Sequence, residues 1–337
     1  MASSMPIEGD YIETFNGIIF AVKGFLHPPG FAVAYPKYYP RQHGDRFRHG
    51  KPYAKIESIA ECYRFLREVE PSYLRFDPVF NETLPEVPLS HVAEYYSPRK
   101  FLEALVAREE NLDWLEKVCL EMAKLLSEAS GVPLKAFGVS GSTMLGLHRA
   151  GSDIDLVVYG FREGVKVYEA LGRLRAEAGS PFKAYGEKEA LELWRRRIAD
   201  TDAPLNLFAR LEAQRRLEGF FKGYEYFIRL LNPPSEKYGE SSFRPLGRVE
   251  VEAVVADSSQ SIFTPCIYRV EDVKPLSGSI PGEIHEVYTL RGRFCELAEA
   301  GAKIKVSGKL EEVLAGEKSY LRIVVGGSRS DIIIPIL

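Results

Sequence analysis

Apolar positions along the chain change their period several times, and each change marks an element. Near the N-terminus, IETFNGIIFAVKGFLHPPGFAVAYPKYYP carries two apolar, β-rich runs around a His-Pro-Pro-Gly turn, which predicts a hairpin. In IESIAECYRFLREVE, residues 56–70, Ile59, Cys62, Tyr63 and Phe65–Leu66 recur at the spacing of one amphipathic helix. The polar, proline-bearing SYLRFDPVFNETLPEVPLS closes a first domain near residue 95.

Ser97-Pro98 then offers an N-cap and a first-turn proline. A long apolar stripe follows through Leu102, Leu105, Val106, Leu112, Leu115, Cys119, Met122 and Leu126, and Gly131 stops it. KAFGVSG predicts a short strand and turn, STMLGLHRAG a small helix, and SDIDLVVYG a second strand. Helical periodicity returns over 164–177 and 187–219, before a strand in YEYFIRLL, a loop in PPSEKYGESSFRPLG and a strand in RVEVEAVVA. From about residue 258 onward, short β-runs separated by Gly and Pro predict a small barrel or sandwich. The expected fold class is α+β, divided into an N-terminal α+β module (1–95), a central core (96–257) and a small all-β domain (258–337).

The 337 residues carry 44 basic and 47 acidic side chains, so no global basic field points to nucleic acid and any such binding needs a local patch. No apolar run is long enough to span a membrane, and the N-terminus lacks a signal-like apolar stretch. Cys62, Cys119, Cys266 and Cys295 are scattered without a CxxC pair, which predicts core thiols in a reducing, cytoplasmic compartment. Three glutamines and five asparagines among so many charged residues lean towards a thermophilic source. Arg195–Arg197 and Arg215–Arg216 read as solvated helix faces, because acids are nearly as frequent around them.

The chemistry concentrates in residues 137–160, FGVSGSTMLGLHRAGSDIDLVVYG. Asp153 and Asp155 alternate with Ile154 and Leu156, so both carboxylates face one side of a strand, roughly 7 Å apart. Two carboxylates that close repel unless a cation lies between them, and hard oxygen donors suit Mg²⁺ or Mn²⁺. Upstream, Gly141 allows close backbone approach, and Ser142 opens a helix whose free N–H groups and hydroxyl suit a phosphate.

With these residues the segment resembles the polymerase-beta-type nucleotidyltransferase superfamily. Gly141-Ser142 is followed after ten residues by Asp153-Ile154-Asp155-Leu156, with Ser152 before the first acid and Gly146 at a second glycine position. Ser140 stands where that pattern often has an apolar residue. The chain-wide layout also resembles archaeal proteins regarded as nucleotidyltransferases of unknown substrate.

The resemblance implies a polymerase-beta-like core and Mg²⁺-dependent transfer of a nucleoside monophosphate from an NTP to an acceptor hydroxyl, with release of pyrophosphate. It implies that Asp153 and Asp155 bind metal, and that Gly141, Ser142 and Ser152 hold the NTP phosphates. It also implies a third carboxylate on a neighbouring strand. Glu250 and Glu252, on one face of RVEVEAVVAD, are the candidates, with Asp257 at its end; about fifty residues after the pair the chain has Asn206 instead of an acid.

Residues 36–55 carry six Lys/Arg against one Asp, with aromatic rings between them. Lys37, Tyr38, Tyr39, Arg41, Arg46 and Arg48 are candidate nucleic-acid contacts, cations for phosphates and rings for stacking. An RNA 3′ end is the acceptor this favours. A small molecule, a protein hydroxyl, or an inactive nucleotide- or RNA-binding protein on the same fold are the alternatives.

Overall fold

Twenty strands and seven α-helices form among the residues that a computed structural model describes, 5–197 and 204–336. The protein is mixed α/β with a small all-β C-terminal region, and it divides into two compact units. The first takes in residues up to 75, 83–183 and 216–231; the second takes in 76–82, 184–215 and 232 onward. The N-terminal strands and the Gly-Ser/Asp-x-Asp segment therefore belong to one unit.

In the first unit, β1 (Tyr11–Thr14), β2 (Ile19–Val22), β3 (Phe31–Pro40), β4 (Arg46–Arg48), β5 (Lys51–Lys55) and β8 (Val92–Tyr96) run in the order β4–β5–β3–β2–β1–β8. Their inward residues Ile12, Phe20, Ala32 and Ala34 pack with Leu66 and Tyr73. Helix α1 (Ile59–Val69) starts where Ser58 accepts from the Glu61 N–H and Glu61 answers in a capping box. The proline-bearing segment that closes the first domain in the sequence forms β6 (Leu74–Asp77) and β7 (Glu82–Pro88), with Val87 of β7 opposite Ala32 of β3. Its prolines hide the strand alternation in the sequence.

The long apolar stripe is two helices, α2 (Pro98–Ala107) and α3 (Trp114–Ser130). Asp113 restarts the chain by accepting from the Leu115 and Glu116 N–H groups, and Arg108 pairs with Glu116. The stripe runs across the break because both helices bury the same kind of face. The second sheet of this unit holds β9 (Phe137–Val139), β10 (Ile154–Tyr159), β11 (Phe182–Lys183), β12 (Glu218–Phe221) and β13 (Tyr224–Leu231), in the order β11–β12–β13–β10–β9. Strand β13 is parallel to β10 and β9 is antiparallel to it, while α3 and α5 (Phe161–Ala176) pack on β10. The very short α4 (Gly141–Met144) links β9 towards β10.

The second unit contains α6 (Glu187–Arg197) and α7 (Leu205–Gln214); the middle of the helix expected over 187–219 lies outside the described residues. Its strands are β14 (Ser241–Gln260), β15 (Phe263–Thr264), β16 (Cys266–Ser277), β17 (Ile284–Thr289), β18 (Lys303–Ala315), β19 (Lys318–Val324) and β20 (Ile332–Ile336). The order β14–β16–β17–β19–β18 closes because β14 also pairs with β18, and β20 extends from β18. Closure makes a small barrel and leaves the ring without a free edge. Arg215, expected on a solvated face, is instead fully buried between Glu212 at 2.9 Å and Glu296 at 3.7 Å. Two acids around it offset its charge, Glu212 three residues before it and Glu296, which is distant in sequence. All four cysteines are free and buried.

Candidate functional site

Strand β9 ends at Val139, and the Ser140 N–H continues the ladder by donating to the Asp155 carbonyl at 2.8 Å. The Ser140 hydroxyl donates to the Gly9 carbonyl at 2.7 Å, which ties the turn to the N-terminal segment. Gly141 then takes φ +66°, in the left-handed region, and a Cβ added there would run into Asp155 Oδ2. The carboxylate of Asp155 thus lies against the backbone of the Gly-Ser turn, and only glycine permits it. Ser142 is buried, and its hydroxyl makes no hydrogen bond within the protein among the described residues.

Asp153 sits exposed just before β10, and Asp155 is half-buried on it. Burial first, and then the charge of Asp153, push the Asp155 carboxyl well above the ordinary carboxylate range. Arg229, Lys55 and Lys37 act in the opposite sense. Arg229 reaches the site from β13, whose Phe227 stands directly opposite Asp155; it pairs with Glu8 at 3.0 Å. Tyr11 and Tyr38 complete the surroundings: burial raises both phenols, and the two aspartates add to the effect.

The loop between α4 and β10 is held from outside. Arg46 is buried over the Tyr38 ring and donates to the Leu147 carbonyl at 2.7 Å, while Arg149 pairs with Asp45. Leu145 and Leu147 pack with Ile19, Tyr38 and Tyr53. Ser152 closes the loop, its hydroxyl accepting from the Arg149 N–H at 2.9 Å and its N–H donating to the Arg149 carbonyl at 2.9 Å. His148 is taken up in packing, with Asp113 at 3.1 Å and Trp114 edge-on.

The candidate contacts in residues 36–55 are largely absorbed into this architecture. Tyr38 is buried, Tyr39 packs on Phe65, and Arg48 binds Glu13 at 2.7 Å and the Tyr96 hydroxyl at 2.5 Å. Of the six, only Arg41 is exposed. Glu250 and Glu252 lie on β14 in the second unit; Glu250 pairs with Lys305 at 2.8 Å, and Glu252 stands opposite Lys305 and Lys274. Among the described residues no three His, Cys, Asp or Glu come together as a metal-holding group. Tyr11 and Arg229 lie outside the motifs of the sequence, and Lys55 stands there only as the end of the basic stretch 36–55. The signal for Arg229 is a lone cation in the apolar run YEYFIRLL; Tyr11 offers none.

Among the described residues no helix is long and apolar enough to cross a membrane. No family model matches the chain, and no solved structure matches it. It is 31% identical over 333 residues to "Uncharacterized protein MJ1086" of Methanocaldococcus jannaschii, with 95% of each chain covered. The chain belongs to the family of that archaeal protein.

Proposed function

We propose that this member of the family is a nucleotidyltransferase, moving a nucleoside monophosphate from an NTP to an acceptor hydroxyl with release of pyrophosphate. One observation carries the reading: the Asp155 carboxylate rests on the backbone of Gly141, so the turn suited to phosphate and the paired acids form one site. The free Ser142 hydroxyl adds a donor there, and with α4 only four residues long the anion would rely on that hydroxyl and individual N–H groups rather than on a helix dipole.

The donor set fits a divalent cation. Asp153 and Asp155 are hard oxygen ligands that repel each other, and the partial burial of Asp155 adds to the cost of its charge. Mg²⁺ commonly takes only one or two carboxylates and fills its remaining positions with phosphate oxygens and water, so a third acid is not required for binding. When bound, the cation would supply charge neutralisation and polarisation of the phosphates. In the reaction the acceptor oxygen bonds to the α-phosphorus as the α–β phosphoanhydride bond breaks. The electron pair leaves with pyrophosphate, and the acceptor proton passes to a base. The chain's own part is to hold the two ends of that displacement in line.

The expectation of an RNA acceptor rested on the basic aromatic stretch, and that stretch now walls the site. RNA, small molecules and protein hydroxyls are therefore acceptors to be distinguished by assay. The test is pyrophosphate release from each NTP with Mg²⁺ or Mn²⁺ and pooled cellular acceptors. Release should fall by at least about a hundredfold in Asp153→Asn and Asp155→Asn, the scale of losing a principal electrostatic contact to the transition state. Release that is equal in wild type and both variants would remove the reading.

A further inference from the structure

Among the described residues each cation near the Asp pair has a partner, with one exception. Arg46 donates to the Leu147 carbonyl, Arg48 pairs with Glu13, Lys55 with Glu57 at 3.1 Å, and Arg229 with Glu8. Lys37, on β3 beside Tyr38, makes only one long hydrogen bond, to the Ile56 carbonyl at 3.3 Å, and no ion pair among the described residues. It is half-buried, and its next-door cation is Lys55. Burial and then the like charge of Lys55 hold its pKa below the ordinary lysine value. Asp155 lies close enough to act on Lys37 through its charge, but the two do not pair directly. Glu57 also acts on it through charge, but among the described residues no carboxylate pairs with the ammonium, and two of its three N–H donors have no partner.

We propose that Lys37 is an anion-binding residue of the site, taking the pyrophosphate portion of the incoming triphosphate. The assignment rests on the nucleotidyltransferase reading for the identity of the ligand, but not for the existence of the anion site. A polyphosphate supplies the missing negative charge beside Lys37 and accepts its free donors. As the α–β bond breaks, negative charge builds on the departing pyrophosphate. The Lys37 ammonium stabilises that charge electrostatically, and no proton transfer is assigned to it. The N-terminal strands thus contribute to substrate binding, beyond walling the site.

The experiment is calorimetric titration of inorganic pyrophosphate, orthophosphate, an NMP and an NTP into wild type, Lys37→Gln and Lys37→Arg. The expected result is pyrophosphate and NTP binding about tenfold or more weaker in Lys37→Gln, the worth of one charge-assisted contact, with Lys37→Arg recovering most of it. NMP binding should change little. Equal pyrophosphate affinity in wild type and a folded Lys37→Gln overturns the assignment, and so does an equal loss for NMP, which would place Lys37 at the nucleoside or its α-phosphate. If Lys37→Gln does not fold, the same question is put to wild type by acetylating its lysines and reading Lys37 by mass spectrometry. Slower modification with pyrophosphate supports the site, and an unchanged rate overturns it. Pyrophosphate binding through Lys37 in a protein that transfers no nucleotide would sink the reaction and leave the anion site standing.

Discussion

Asp155 reaches its place only because residue 141 has no side chain. Gly141→Ala would meet both the positive φ and the carboxylate. The expected outcome is a stability loss of about 1–3 kcal/mol in denaturant titration and transfer lowered at least about a hundredfold. Retained transfer would mean that the Asp155 carboxylate need not lie on the turn. A second titrating group sits away from the chemistry. Asp10 is buried, its carboxylate accepting from the Tyr95 hydroxyl at 2.5 Å and the Ile7 N–H at 2.8 Å. Burial dominates, pushing its pKa up to about 6 from 3.8 in spite of those bonds. A raised carboxyl favours the fold fully below its unfolded pKa, and that contribution is lost as pH rises through the folded value. Asp10→Asn lacks this loss. Relative to wild type, the variant should therefore gain about 3 kcal/mol between pH ~4 and ~7, read from unfolding free energies. A difference that stays flat across that window would contradict the assignment.

Among the elements, the β4–β5 hairpin is the one whose role could not be foreseen. In the sequence its arginines, with the tyrosines of β3 just before them, look like an open nucleic-acid surface, because nothing local says that Arg46 will find the Leu147 carbonyl a hundred residues away. The Gly-Ser turn and Asp-x-Asp strand were legible for the opposite reason: their meaning lies in short spacing and period-two alternation. The apolar stripe over α2 and α3 was legible as helix but not as two helices. The break depends on Asp113 capping back on itself, which a stripe does not encode. Arg46→Ala removes a buried hydrogen bond and a ring contact that hold the loop leading into Asp153. It should cost about 1–3 kcal/mol in thermal or urea unfolding. It should also lower transfer more than Arg41→Ala, which alters only an exposed side chain. Equal effects of the two would mean that the hairpin does not support the loop.

At the scale of the molecule, the C-terminal β character was readable from its Gly- and Pro-punctuated runs, whereas closure through the β14–β18 pairing is a long-range register that no local pattern states. The same register decides how Glu250 and Glu252 are seen. In sequence they are two acids on one strand face; in the barrel Glu250 already faces Lys305. Glu250→Gln is thus expected to change transfer less than about threefold, as for an exposed ion pair. A loss comparable to that of the aspartate variants would instead identify it as the third acid.

The most direct measurement of the central claim is transfer of label from each α-labelled NTP into separated pools of RNA, DNA, protein and small metabolites, with Mg²⁺ or Mn²⁺ and with Asp155→Ala in parallel. Label entering one pool with wild type and absent with the variant is the predicted result, and it names the acceptor class. Label entering a pool equally with Asp155→Ala, or no label entering any pool while both proteins are folded, would contradict it.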